Sequence, residues 1–304
     1  HRPITLKLRL DEEEMARFAV DSWRYPGVEV VPYFSRVYPY GELLAHVVGY
    51  VGRIDAKDLE ELGQTSTPYT HRGKTGLERY YDARLRGAPG YQKIETNVDG
   101  RPLRVLGTVP ATPGTDLRLS IDVDLQQAMV DAFGELEGSA IAVDPRSGEI
   151  LAMVSLPSYN PNAVEGGPGD VRRNRAVTDL LEPGSTVKPL TVAAGLEAGV
   201  ITPATRFDTG PGWIANGRYR TTDHRPLGVV DTTGAIRSSS NVAMAMIVRK
   251  LGDRQYHDFL QRFGYGESTR SGFPGEAAGL FPDVGRWSGT TKQTLSYGYG
   301  LNAT

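Results

Sequence analysis

A chain of 304 residues with 39% hydrophobic and 23% charged residues has the composition of a folded soluble protein, long enough for two domains, and is unlike a disordered or fibrous one. Lys and Arg (34) nearly balance Asp and Glu (36), and a net charge of -2 gives no electrostatic reason to expect a nucleic-acid partner. The absence of cysteine excludes disulfide scaffolds, thiolate catalysis and cysteine-based metal centres.

Residues 4–10 alternate apolar and polar and predict a strand, after which Asp11 and the acidic run Glu12-Glu13-Glu14 predict a helix start. Residues 28–31 and 33–37 predict further strands, and the apolar stretch 42–51 a helix or turn. A polar loop over 62–72 precedes 76–87, where Leu77, Tyr80, Tyr81 and Leu85 fall at helical spacing and predict one amphipathic helix. Strands over 92–96 and 102–106 around a turn at 97–100 predict a hairpin, and 110–114 reads as a linker. The pattern then changes to a strand over 117–121, a helix over 124–136, and strands over 139–143 and 149–155 joined by a turn at 144–148. A Gly- and Pro-rich stretch over 161–169 follows, and Pro183-Gly184-Ser185 breaks into a helical run over 186–198. The expected organisation is α+β, with a first domain over 1–113 and a second over 114–304. No apolar run reaches the roughly 20 residues that span a bilayer, and the abrupt ends at His1 and Thr304 suggest a piece of a longer protein whose other segments could hold an anchor.

Ser185-Thr186-Val187-Lys188 is the sharpest chemical feature, because a spacing of three residues in a helix returns two side chains to the same face. A serine hydroxyl is a poor nucleophile near neutral pH, and a lysine whose pKa is lowered by burial can take its proton. The start of a helix adds backbone N–H donors suited to an oxyanion. Against this stands the plainer role of Ser185 as a helix cap and Lys188 as a solvated first-turn residue. Downstream, Ser239-Ser240-Asn241 precedes the apolar run 242–248 and is expected to open another helix, either as caps or as a second group facing the first motif. In the second case Ser239 could relay a proton to a leaving amine and the Asn241 amide could hold a peptide backbone. Ser158-Tyr159-Asn160 has the same spacing, but it precedes Ser185 in a Pro-flanked turn and is expected to be structural. The five histidines have no metal-ligand spacing, so neither a metal nor a cofactor is implied. Trp287, Tyr297 and Tyr299 are expected to be packing residues with a possible place along a cleft.

Ser-x-x-Lys, then Ser-x-Asn, then Lys-Thr-Gly is the signature of penicillin-binding proteins and class A β-lactamases. The run Arg175-Ala176-Val177-Thr178-Asp179-Leu180-Leu181-Glu182-Pro183-Gly184-Ser185-Thr186-Val187-Lys188-Pro189 resembles the active-site segment of class B penicillin-binding proteins, and Val143-Asp144-Pro145 to Asn162 resembles their preceding strands. Tyr38-Pro39-Tyr40-Gly41-Glu42 to Arg53, and Gly73-Lys74-Thr75-Gly76-Leu77-Glu78 to Arg101, resemble the non-catalytic pedestal of that family, so the upstream Lys74-Thr75-Gly76 is a pedestal match and not the third motif. The pedestal is more like the elongation type; Arg172 onward and Ser296-Tyr297-Gly298-Tyr299-Gly300 are more like the division type.

The resemblance implies an elongated pedestal followed by a β-lactamase-like transpeptidase domain, a mixed sheet with helices, cut before the strand that carries the third motif, and hence weak or absent turnover for this piece alone. It implies a D,D-transpeptidase that cross-links D-Ala-D-Ala stem peptides, with Ser185 as nucleophile, Lys188 as its base, Ser239 as proton relay and Asn241 as substrate clamp. It also implies β-lactams as covalent ligands of Ser185, a membrane glycosyltransferase and morphogenesis or division proteins as partners through the pedestal, and a place in the bacterial periplasm, anchored to the inner membrane by a helix outside this chain. The alternatives are a scaffold within the cell-wall machinery, or hydrolysis of the same acyl-enzyme as in a carboxypeptidase or β-lactamase.

Overall fold

The computed structural model describes residues 4–7, 10–31, 35–63, 69–164 and 169–304. Asp11 opens helix α1 (Glu12–Asp21) by accepting from Glu14 N at 2.7 Å, while the Glu14 carboxylate accepts from Asp11 N, a capping box that satisfies two N-terminal donors. The strands expected on either side of it are not seen: 4–7, 28–31 and 35–37 have no ladder partner among the described residues, and Ile4, Leu6, Val31 and Val37 stand in solvent. Alternation alone does not make a strand whose N–H and C=O groups find no neighbouring chain. Residues 8, 9, 33 and 34 of those expected strands lie outside the described residues.

The 42–51 stretch becomes a 3-10 turn, Gly41–Leu44, running into the short helix α2 (Ala45–Val48). Strand β1 (Val51–Arg53) pairs antiparallel with β2 (His71–Gly73), which takes up the end of the expected 62–72 loop; 64–68 of that loop lie outside the described residues. Between them α3 (Ala56–Glu61) is opened by a second capping box of Asp55 and Asp58. Residues 76–87 form two helices, α4 (Gly76–Tyr80) and α5 (Asp82–Arg86), because Asp82 Oδ1 accepts from Gly73 N at 2.9 Å and draws the chain back to β2 at the Tyr81 break. Lys74 is held by Asp58 and, at 3.0 Å, by Asp55, a structural duty for the upstream Lys-Thr-Gly. The expected hairpin is present and longer than the alternation indicates, with β3 (Tyr91–Thr96) paired to β4 (Pro102–Val109) and almost every residue of both strands exposed.

Residues 117–121 are not a strand; their hydrogen bonds to the neighbouring strand come at their end, where Ser120 Oγ donates to Ile150 O and Asp122 N to Leu151 O. Helix α6 (Val123–Phe133), capped by Asp122, stops ahead of Gly134, three residues short of expectation. Strands β5 (Gly138–Val143) and β6 (Ile150–Leu156) pair antiparallel, with β6 the more buried. After α7 (Arg175–Thr178) a 3-10 turn, Gly184–Val187, leads into α8 (Lys188–Glu197). Two small antiparallel pairs follow: β7 (Arg206–Asp208) with β10 (Val229–Asp231), and β8 (Trp213–Asn216) with β9 (Tyr219–Thr222). The chain continues through α9 (Thr232–Arg237), α10 (Asn241–Arg249), α11 (Asp253–Gln261) and α12 (Thr291–Leu295).

The main core lies around α8 and α10. Val192, Ile201, Phe207, Ala235, Ala243, Met244 and Ile247 fill one side of α10; Val187, Ala194, Val248, Leu251, Tyr256, Leu260, Leu295 and Leu301 fill the other. A Cβ on Gly195 of α8 would meet Ile201 Cδ1 at 2.8 Å and Ile247 Cγ2 at 2.9 Å, so this glycine lets α8 approach α10 closely. Helix α10 is apolar nearly all round because it is buried nearly all round. Trp287 packs against this core, with its indole N–H donating to Pro282 O at 3.0 Å, whereas Tyr299 stacks edge-on with Tyr297 and is half exposed.

Polar contacts join the two regions. Ser158-Tyr159-Asn160 has the structural role expected of it: Ser158 Oγ donates to Glu42 O at 2.7 Å and Tyr159 OH to Ala45 O at 3.1 Å. The strongest tie is Gln126, fully buried on α6. Its Nε2 donates to Leu43 O at 3.0 Å and Met153 O at 2.8 Å, and its Oε1 accepts from Met153 N at 2.8 Å. Gln126→Leu strands three main-chain groups and is expected to cost about 2–4 kcal/mol, with water from the adjoining cavity of about 260 Å³ relieving part of the loss. Urea unfolding measures it, and an unchanged midpoint would show that the amide bridges nothing of consequence.

Candidate active site

Ser185 lies in the 3-10 turn that precedes α8, and Lys188 is the first residue of the helix proper. With three residues per turn, positions i and i+3 eclipse, so both side chains leave the same edge of the turn. Ser185 is exposed, whereas Lys188 is only 3% exposed. Burial lowers the Lys188 pKa from its ordinary value, and the negative charge of Asp223 pulls it partly back up.

The second motif arrives from the junction of α9 and α10. Ser239 N donates to Ile236 O and Ser240 N to Ala235 O, each at 2.9 Å, the paired closure of a Schellman motif. That motif places Ser239 where glycine is usual, and its φ is +53°, a left-handed conformation that costs a serine about 1 kcal/mol or more. Ser240 then caps α10, its Oγ accepting from Ala243 N at 2.9 Å. The capping expected of Ser239-Ser240-Asn241 therefore falls to Ser240, and Ser239 is left free to face Ser185.

Lys188 Nζ donates to Ser239 Oγ at 2.8 Å and to Ser239 O at 2.6 Å, and Ser239 Oγ donates to Ser185 Oγ at 3.1 Å. Among the described residues no hydrogen bond joins Lys188 directly to Ser185; the link runs through Ser239. Because hydroxyl hydrogens rotate, the chain can reverse when the amine is neutral, with Ser185 donating to Ser239 and Ser239 to Lys188. The arrangement can thus carry a proton from Ser185 to a desolvated amine and return it. Asn241 Nδ2 donates to Thr222 O at 2.9 Å, which fixes the amide and turns its oxygen to the other side.

Two contributors have contacts to the site that the sequence does not predict. The turn before Ser185 is held by the segment 298–303: Gly184 N donates to Gly298 O at 3.0 Å, Gly300 N donates to Glu182 Oε1 at 2.8 Å, and Leu181 and Ala303 exchange two bonds. Asp223, just past β9, accepts from Ser240 Oγ at 2.7 Å and from Val242 N at 3.0 Å. Both depend on pairings distant in the chain, and spacing along the sequence does not reveal them.

Residues 138–304 match the family model described as penicillin binding protein transpeptidase domain, and residues 1–119 match penicillin-binding protein dimerisation domain. The chain is 37% identical over 301 residues to peptidoglycan D,D-transpeptidase MrdA of Escherichia coli K12, covering 92% of this chain and 47% of that protein. It is 35% identical over 288 residues to peptidoglycan D,D-transpeptidase FtsI of the same strain, covering 92% and 46%. Its structure resembles penicillin-binding protein 2 in the complex with MreC from Helicobacter pylori, with a TM-score of 0.81, 29% identity, and coverage of 96% of this chain and 59% of that one. The chain spans about half the length of the curated relatives it matches.

Proposed function

Because the chain belongs to the penicillin-binding protein transpeptidase family, we propose that it supplies the pedestal, over 1–113, and the nucleophilic part of the catalytic domain, over 114–304, of a class B peptidoglycan D,D-transpeptidase. The observation that carries this reading is the continuous chain from buried Lys188 through Ser239 to exposed Ser185. Ser185 Oγ attacks the penultimate D-alanine carbonyl of a stem peptide. Its proton passes by way of Ser239 to the neutral Lys188 amine. The tetrahedral oxyanion is met by the Ser185 N–H, which has no acceptor among the described residues, whereas the N–H groups of Gly184 and Thr186 are taken by Gly298 O and Pro183 O. Ser239 then delivers the proton to the departing D-alanine amine, leaving an ester on Ser185, and Asn241 Oδ1 holds a substrate N–H. An amine from a neighbouring strand attacks the ester, forms the cross-link and returns the proton to Ser185.

A β-lactam offers Ser185 an equivalent carbonyl in a strained ring and leaves a slowly released ester. The chain's likeness to a penicillin-binding protein 2 solved with MreC favours a morphogenesis protein as partner, and the family resemblance adds a membrane glycosyltransferase. Such work belongs on the periplasmic face of the inner membrane. Intact mass measurement of the full-length protein after exposure to benzylpenicillin tests the reading. One adduct is expected, mapping to the peptide that contains Ser185. No adduct on folded protein, or an adduct mapped elsewhere, would sink it.

A further inference from the structure

Ser239 has an unusual task, since it must hold a left-handed backbone, meet Lys188 on one side and meet Ser185 on the other. The Schellman closure restrains it from the α9 side alone. On the α10 side the next residues are Ser240 and Val242, both wholly buried, whose hydroxyl and N–H must find acceptors inside the protein. Both find Asp223: one carboxylate oxygen accepts from Ser240 Oγ and the other from Val242 N. Asp223 is itself anchored, its N–H donating to Gly212 O at 2.8 Å at the base of the β8–β9 pair. A carboxylate suits the place, because its two oxygens take one donor each and its charge favours the N-terminus of α10.

We propose that Asp223 is a positioning residue for acylation, clamping the first turn of α10 so that Ser239 stays in register between Lys188 and Ser185. The proposal rests on the roles given above to those three residues. Without the carboxylate, Ser240 Oγ and Val242 N are buried without acceptors, the first turn of α10 shifts to find others, and Ser239 can relax from its left-handed conformation. Asp223 touches none of the reacting atoms; its positioning effect passes through Ser240 and Val242, and is separate from the pull of its charge on Lys188, which Asp223→Asn removes while keeping the clamp. The same residue links the site to β9, which also orients Asn241 through Thr222 O, so relay and clamp share one support.

The test separates binding from chemistry in the full-length protein, using time courses of benzylpenicillin acylation across drug concentrations. Wild type is measured first: failure to acylate Ser185 would overturn the function proposed above, independently of Asp223. Given acylation, Asp223→Ala is expected to slow the acylation rate constant about ten- to a hundredfold, with the dissociation constant of the initial complex within about threefold of wild type. Asp223→Asn keeps an acceptor for Val242 N and a hydrogen-bonding group for Ser240, and is expected to recover most of the rate. A wild-type rate constant in Asp223→Ala, or equal slowing in Asp223→Asn, overturns the proposal. If Asp223→Ala does not fold, Ser240→Ala decides: it removes the tie from Asp223 to the residue next to Ser239 and should slow acylation, and a wild-type rate would count against the clamp.

Discussion

Lys188→Met is expected to slow penicillin acylation of Ser185 by about 10²- to 10⁴-fold, the usual range for loss of a general base, while the thermal midpoint holds or rises. The two halves of this expectation share one cause. Lys188 is buried, and desolvation lowers its pKa more than the charge of Asp223 restores it. Between the lowered native value and the ordinary lysine value, the unfolded chain holds a proton that the native chain does not. Stability therefore rises with pH across that window, and below it the native state carries a charge that its surroundings disfavour. Methionine fills a similar volume without the charge, and the loss of two hydrogen bonds to Ser239 offsets part of the gain. In the proposed mechanism the same shift favours the neutral amine: acylation by wild type should climb with pH, with an inflection below the ordinary lysine value, and Lys188→Met should lack that limb. Rates with a fluorescent penicillin across pH, beside melting curves at pH 7, measure both. A variant that acylates at the wild-type rate would mean that the amine is no base.

What the sequence disclosed and what it hid divide along physical lines. Ser-x-x-Lys was legible because three residues of helix-like chain bring two side chains together whatever else the protein does. The order of the hydrogen-bond chain was not. Direct transfer from Ser185 to Lys188 is the simplest expectation from their spacing, yet the amine reaches Ser239, which a Schellman closure from α9 presents in a conformation no serine signals. Strand expectations failed where alternation had no ladder partner among the described residues, at 4–7, 28–31 and 117–121, and held at β3–β4 and β5–β6, where a turn places the partner a few residues away. Helix breaks were missed where a distant group intervened, as when Asp82 turned back to Gly73 and split α4 from α5. Nothing in the expected helix over 124–136 marks Gln126 for burial. Only the approach of Leu43 from the first region makes it a buried tie.

Gly298→Ala is expected to cost about 2–4 kcal/mol and to slow acylation tenfold or more, although the residue touches no reacting atom. Its φ of +86° is unfavourable for a side chain. Space is the larger objection, because a Cβ there would lie 2.5 Å from the Gly184 carbonyl carbon and 2.6 Å from Gly184 Cα, backbone atoms with no rotamer to yield. Gly184 N donates to Gly298 O at 3.0 Å, so relieving the clash by parting the two segments breaks the bond that fixes the residue before Ser185. Movement of Gly184 carries Ser185, the proposed nucleophile, with it, and a displacement of about 1 Å can cost a hundredfold in rate. Gly300→Ala separates the contributions. Gly300 has nearly the same φ, +85°, but a Cβ on it would meet only Thr294 Oγ1, at 3.7 Å. It should lose about 1 kcal/mol from backbone strain and keep most of its acylation rate. Denaturation midpoints and acylation rates of the two variants, measured together, decide whether contact with the 298–303 segment or left-handed strain governs the nucleophile's position; equal behaviour of the pair would refute the contact.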